Sequence, residues 1–223
     1  MYDQSFDELR TGFTAAVSHE LRTPLARILA LLDSVDLPGA DVHSLVDQAR
    51  AEVESAGALI DEILFLSELE SGKEIVSLDP TDARPIVDEV VASLVDSAAR
   101  AGVAVLAAGD AELPLRPRML RVLVENLAEN AVRYAGHGAT LHLELSDGLL
   151  LARDDGAGVQ EHEVPRLFER FYRADTARSS RGTGLGLAIV KHLVAAAGGS
   201  VEARSSRGAG LEVRCNFPTS APA

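Results

Sequence analysis

"VSHELRTPLARILALLDSV", residues 17–35, places apolar side chains at Leu21, Leu25, Ile28, Leu32 and Val35, in steps of 4, 3, 4 and 3. That spacing holds one stripe on one side of an α-helix in coiled-coil phase. Val42, Val46, Ala49, Val53, Ala56, Ile60 and Ile63 keep the rhythm further on, and "DSVDLPGAD" between the two runs carries a Pro-Gly break. Two amphipathic helices around such a break fold back as a helical hairpin. Leu45, Leu59 and Leu66 widen the second stripe beyond what one partner helix can cover. Two hairpins would cover each other as a four-helix bundle, so the segment reads as a homodimerisation module.

The same stretch carries a polar cluster that packing does not require. At about 100° per residue, His19 lies roughly 160° around the helix from the centre of the 21–35 seam, and Thr23 shares its outward side. A chance surface histidine is the plain alternative. Pro24 weighs against it, because a proline inside a helix removes a backbone hydrogen bond at a cost of about 3 kcal/mol, and predicts a bent turn beside His19. A zinc-protease H-E-x-x-H pattern would need a second histidine at position 23, where Thr23 stands.

The chain has 223 residues, 47% hydrophobic and 25% charged, enough for two modest domains with real cores. No apolar run approaches the roughly 18 residues of a membrane span, and no secretory leader opens the sequence. A soluble cytoplasmic protein is expected, with no membrane contact by this chain itself; a membrane, if one matters, would be reached through segments outside this chain. Charge is uneven: residues 1–70 hold 4 Lys and Arg against 14 Asp and Glu, and the remainder 17 against 20. A nucleic-acid partner is therefore not expected, since phosphate contact needs a basic face. The acidity suits a partner with a basic rim, or is only a solvated face. The single cysteine, Cys215, alternates within "LEVRCNF" as a packed strand residue.

After "LESGKE" the pattern turns to mixed α and β. Helices are predicted over 81–102, 117–136 and about 184–197, with strands in "VAVLAAG", "SVEARSS" and "LEVRCNF". Asp147-Gly148 inside "ATLHLELSDGLLLARDDGAG" is the strongest hairpin signal in the chain. Helices on a mostly antiparallel sheet give an α/β sandwich, so the fold class is α+β multidomain. The expected domains are the hairpin over 1–70, a linker over 71–74, a sandwich over 75–219 and a tail over 220–223.

Three features of the second domain can carry chemistry. Asn126 and Asn130 share a helix face at i,i+4, with Arg133 and Tyr134 a turn on; two such amides can also be core hydrogen bonding. Asp154, Gly156 and Gly158 form a D-x-G-x-G loop that could be only a tight turn. "GTGLGLAIV" (182–190) runs Gly182, Gly184 and Gly186 into a helix start, where backbone N–H groups hold phosphate. Neither the Lys-Ser/Thr of a P-loop nor the G-x-G-x-x-G of a Rossmann site is present.

The ordered set H-E-L-R-T-P, N-x-x-x-N-A-x-R-Y, D-x-G-x-G, F-E-R-F-Y-R and G-T-G-L-G-L-A-I resembles the transmitter region of bacterial sensor histidine kinases over nearly the whole chain. The resemblance implies a dimerisation and phosphotransfer hairpin, then a catalytic ATP-binding domain of the Bergerat type shared with gyrase and MutL-like ATPases. It implies that His19 is the phospho-acceptor, Glu20 the base beside it, and Thr23 the residue that positions water when a partner is dephosphorylated. ATP and Mg²⁺ are the implied cofactors, with Asn130 giving an oxygen to the metal, Asn126 a second amide, Arg133 a phosphate contact and Tyr134 a ring on adenine. Asp154 would accept from the adenine amine, and Gly156, Gly158, Gly182, Thr183, Gly184, Leu185 and Gly186 would line the nucleotide. A lid between Gly158 and Gly182 would hold the triphosphate with Arg166, Arg170, Arg173, Arg178 and Arg181, Arg173 reaching the γ-phosphate. Phe168 and Phe171 would anchor its base, and "ADTARSSRG" is expected to be mobile without nucleotide.

The implied partners are a second copy of the chain and the receiver domain of a response regulator, whose aspartate takes the phosphate. In the related ATPases a glutamate stands four residues before the Mg²⁺ asparagine; Asn126 fills that place here and disfavours a free-standing ATPase. A catalytically silent dimeric scaffold is the other alternative, disfavoured by the intact motifs. Two departures from the family pattern, Asp155 and Ala197, suggest no chemical role.

Overall fold

The periodic stripes form two long helices, α1 (Asp3–Asp33) and α2 (Val42–Glu70). The computed structural model describes residues 3–70, 80–174 and 182–218, so the linker at 71–74, the tail at 220–223, Arg178 and Arg181 lie outside the described residues. Helix α1 continues through Pro24. A 3₁₀ turn (Ser34–Asp36) follows, and Gly39, at φ 84°, makes the reversal that the Pro-Gly pair predicts. Asp41 then opens α2 by accepting from the Ser44 amide at 3.2 Å.

Which stripe is covered differs from the expectation. The buried heptad of α2 holds Glu52, Leu59 and Leu66, while Val42, Val46, Val53 and Ile60 lie exposed, as do Leu25, Leu29 and Leu32 on α1. Glu52 is only 6% exposed. A carboxylate in a core position is costly unless paired, and Arg27 of α1 meets it at 3.5 Å. The apolar face left open is thus the heptad that set the hairpin's phase, not the leucines that looked surplus.

Contacts divide the chain into two compact units, Met1–Ser67 and Glu68–Ala223. In the second, β1 (Thr81–Asp82) precedes α3 (Ala83–Ser93), and Asp82 caps the helix by accepting from the Arg84 amide at 3.2 Å. The single helix predicted over 81–102 breaks at Leu94, and α4 (Val95–Ala101) follows. Hydroxyls compete with the helix ladder there: Ser93 donates to the Val90 carbonyl at 2.8 Å and Ser97 to that of Leu94 at 2.9 Å. Then come β2 (Ala104–Gly109), β3 (Glu112–Leu113), α5 (Pro117–Tyr134), β4 (Thr140–Ser146), β5 (Leu149–Asp154), a 3₁₀ turn (Glu161–Arg166), α6 (Gly186–Ala196), β6 (Ser200–Ser205) and β7 (Leu211–Asn216).

The main sheet runs β2-β4-β5-β7-β6, parallel only between β2 and β4. β1 and β3 pair as a two-stranded sheet too short to leave a sequence pattern. Asp147-Gly148 closes the β4–β5 hairpin with Ser146 opposite Leu149. Leu141, Leu143, Leu145, Leu150, Val213 and Cys215 are buried, as are Leu120, Leu123 and Leu127 of α5 and Ile189 and Leu193 of α6. Burial pushes the Cys215 thiol up to about 12, which removes thiolate chemistry at neutral pH.

Candidate functional site

Chemistry-bearing residues gather in two places, one in each unit. On α1 the His19 side chain is 75% exposed, and its Nδ1 lies 3.5 Å from Glu20 Oε1. A carboxylate there favours the tautomer with the proton on Nδ1 and leaves the Nε2 lone pair for attack. The Thr23 hydroxyl donates to the His19 carbonyl at 3.4 Å. Pro24 has no N–H, so the Glu20 carbonyl one turn earlier lacks its helical amide donor. His19 and Thr23 therefore share an outward face, as the periodicity predicts, with the half-buried Glu20 beside His19.

The second cluster is built on the C-terminal half of α5. Asn126 and Asn130, both half-buried, lie one turn apart. Asn126 donates from Nδ2 to the Val122 carbonyl at 2.8 Å, which fixes the carboxamide. Its Oδ1 then lies 2.7 Å from where a Cβ on Gly186 would stand. Gly182 sits as tightly on the same helix: a Cβ there would run into the Tyr134 hydroxyl and come within 3.1 Å of Arg133 Nη1. Arg133 Nη2 also lies 3.6 Å from Glu129 Oε2. The glycines of 182–186 are thus what lets this loop lie on Asn126, Arg133 and Tyr134.

Asp154 ends β5, 6% exposed, and accepts from the Gly156 amide at 2.9 Å. Burial pushes its carboxyl above the usual range, the Gly156 and Leu211 amides pull the other way, and the Asp155 charge raises it further. The turn after it is fastened to the end of α5: Ala157 donates to the Ala135 carbonyl at 2.8 Å, and a Cβ on Gly156 would strike the same group. Gly158, at φ 60°, lies against the Ser206 carbonyl. Asp155, to which the sequence assigned no role, accepts from the Thr140 amide at 2.6 Å and ties the turn to β4.

Around the lid the arginines differ in role. Arg166 pairs with Glu169 at 3.1 Å and lies 4.2 Å over the Tyr172 ring, so its charge is engaged locally. Burial pulls the Arg170 guanidinium down. Arg173, Phe168 and Phe171 are half-buried. Phe171, at φ 60°, donates its amide to the Gly184 carbonyl at 2.9 Å and so ties its turn to the glycine loop. The Thr183 hydroxyl accepts from the Leu185 amide at 3.2 Å, and Leu185 is buried. Glu163 is a residue the motifs missed: it is buried, accepts from the Gln160 amide at 3.2 Å and takes the Tyr172 hydroxyl at 3.3 Å. The Gln160–Glu163 capping-box spacing was its available signal.

The donor set suits a magnesium nucleotide. An amide oxygen at Asn130 is a hard neutral donor of the kind Mg²⁺ takes beside phosphate oxygens, and the 182–186 glycines run into the start of α6, a helix N-terminus whose unpaired N–H groups suit phosphate.

Comparison with known proteins gives two family matches, covering most of the chain between them. Residues 9–72 match the His Kinase A (phospho-acceptor) domain, and residues 115–221 match the histidine kinase-, DNA gyrase B- and HSP90-like ATPase. The sensor-like histidine kinase SenX3 of Mycolicibacterium smegmatis is 33% identical over 94% of this chain and 57% of its own. The phosphate regulon sensor protein PhoR of Pseudomonas aeruginosa is 34% identical over 95% of this chain and 50% of its own. The chain thus spans about half the length of the curated relatives it matches. Among solved structures, the Acinetobacter baumannii histidine kinase AdeS shares the fold at TM-score 0.72 and 21% identity, covering 90% of this chain and 98% of that one. Full-length ShkA in complex with AMPPNP aligns at TM-score 0.63 and 27% identity, over 93% of this chain and 46% of that one. Among the described residues, no helix is long and apolar enough to cross a membrane.

Proposed function

The chain belongs to the sensor histidine kinases of two-component systems, and from that premise we propose that it moves the γ-phosphate of ATP to His19 and then to an aspartate of a response regulator. His19 Nε2 attacks the γ-phosphorus, a P–N bond forms, the bond from phosphorus to the β–γ bridging oxygen breaks, and ADP leaves. Glu20 takes the proton from Nδ1 as the ring loses its basic lone pair. In the second step an aspartate oxygen of the receiver domain attacks the same phosphorus, the P–N bond breaks, and the imidazole recovers its proton.

The observation that carries this reading is the exposed His19 ring with its Nδ1 against the Glu20 carboxylate. Asn130 would give one oxygen to Mg²⁺, whose charge supports the phosphates of the bound nucleotide. Asp154 would accept from adenine, Tyr134 would face its ring, and Asn126, Arg133, Arg173 and 182–186 would hold the phosphates. Asn126 also favours transfer over hydrolysis: an amide that donates to Val122 is no base for water. ATP and a regulator as substrates put the chemistry in the cytoplasm.

A homodimer is part of the proposal, because the exposed Leu25, Leu29, Leu32, Val46, Val53 and Ile60 form an apolar face of the kind a second hairpin covers. The Thr23 hydroxyl beside His19 supports dephosphorylation of the regulator by the same face. Incubation with γ-labelled ATP should leave an acid-labile phosphate on the chain, absent in His19→Gln while nucleotide binding persists. Undiminished acid-labile labelling in that variant would refute the assignment.

A further inference from the structure

The ion pair between Glu129 and Arg133 lies beside the glycine loop, and the geometry points to Glu129 as a resting counter-ion that the nucleotide's phosphates must displace from Arg133. The inference rests on the proposed reading of Arg133 as a phosphate contact. Arg133 Nη2 is 3.6 Å from Glu129 Oε2. On its other side, Nη1 would be 3.1 Å and Cδ 3.5 Å from a Cβ on Gly182, so the guanidinium lies against the first glycine of the loop. One cation therefore sits between a carboxylate and a backbone suited to phosphate.

Two consequences follow from that placement. Glu129 precedes Arg133 by four residues, the orientation that favours an exposed helix pair, so it keeps the guanidinium turned toward the loop before nucleotide arrives. Once phosphate is present the carboxylate competes for the same donors and repels the incoming charge. Both side chains are substantially exposed, 54% for Glu129 and 42% for Arg133, so the pair exchanges readily. The net effect of Glu129 is to weaken nucleotide binding modestly, for ADP as for ATP. A carboxylate acting on the phosphates through Arg133 is a positioning residue, and its effect should vanish with its partner.

The test is a double-mutant cycle on nucleotide affinity in the full chain: wild type, Glu129→Gln, Arg133→Gln and the double variant, each titrated with Mg-ATP and with adenosine. Glu129→Gln should bind ATP about two- to five-fold tighter, the scale of an exposed ion pair. It should bind adenosine unchanged, and the gain should shrink as salt rises. In the Arg133→Gln background the gain should disappear. Unchanged or weaker ATP binding by Glu129→Gln overturns the inference, as does an equal gain with Arg133 absent or a matching gain for adenosine. If Arg133→Gln binds ATP as well as wild type, the reading of Arg133 itself fails, a result distinct from any seen in Glu129→Gln alone.

Discussion

Gly186→Ala separates the stability of the nucleotide domain from its function. A Cβ at Gly186 would stand 2.7 Å from Asn126 Oδ1, 3.6 Å from its Cγ and 3.8 Å from its Cβ. Only the first contact is too close, and it is the far end of a side chain, so the Asn126 amide turns while the backbones stay. Turning it loses the 2.8 Å bond to the Val122 carbonyl, about 1 kcal/mol net. Alanine in place of glycine at the first residue of α6 returns up to about 1 kcal/mol through helix propensity and a less flexible unfolded chain. Folding stability should therefore fall by no more than about 1 kcal/mol. Nucleotide binding should not be spared. In the proposed site a displaced amide loses a hydrogen bond to a charged ligand, about 1.5–3 kcal/mol, or about 10- to 100-fold in Kd. Thermal melting of the nucleotide-free chain and calorimetric titration with Mg-ATP, on one preparation, measure both. In an Asn126→Ala background Gly186→Ala should cost no further affinity. Unchanged ATP affinity, or a loss that persists without Asn126, would refute the coupling between the glycine loop and that amide.

Asn130→Asp should impair Mg-ATP use and leave the dimer intact, because a second anion beside the phosphates adds repulsion; autophosphorylation rates and sedimentation check the two halves. Asp154→Asn should abolish adenine discrimination yet hold or raise the stability of the nucleotide-free domain at pH 7. Burial favours the neutral carboxyl, so ionisation above its raised pKa costs stability, and that penalty is absent where Asp154 is protonated. The stabilisation by asparagine should therefore fade as pH falls into the carboxyl range, and melting curves across pH that show the opposite trend would refute burial as the cause. Thr23→Ala should slow regulator dephosphorylation about tenfold or more, the scale of a lost water-positioning group, and spare autophosphorylation; equal losses, or none in either, measured on one preparation, would refute its role.

Period and turn chemistry made much of the fold legible. The 4-3 spacing of α1 and α2 needed no partner to be read, and Asp147-Gly148 announced its hairpin because a two-residue turn is decided locally. The elements that escaped depend on groups distant in sequence or on hydroxyl rotors. The break at Leu94 follows from Ser93 and Ser97 turning back on their own helix, and β1–β3 is two residues long on each side. Glu52 was missed because a charge in a heptad reads as surface until Arg27 is seen 25 residues away. Asp155 shares that cause: its partner is the amide of Thr140, on the neighbouring strand.

Spacing alone put Asn126 and Asn130 on one face but left core hydrogen bonding as the alternative, and at Asn126 the contacts divide between the two. Its N–H side serves the core, bound to the carbonyl four residues back. Its oxygen faces the start of α6, where a Cβ on Gly186 would stand 2.7 Å away. A purely structural amide has no need of a glycine opposite its acceptor, since any small side chain could pack there with a slight shift. A site in which that oxygen must stay clear does need one. That geometry accords with the proposed role of Asn126, and it shows through the neighbour that is missing a side chain rather than through the asparagine itself.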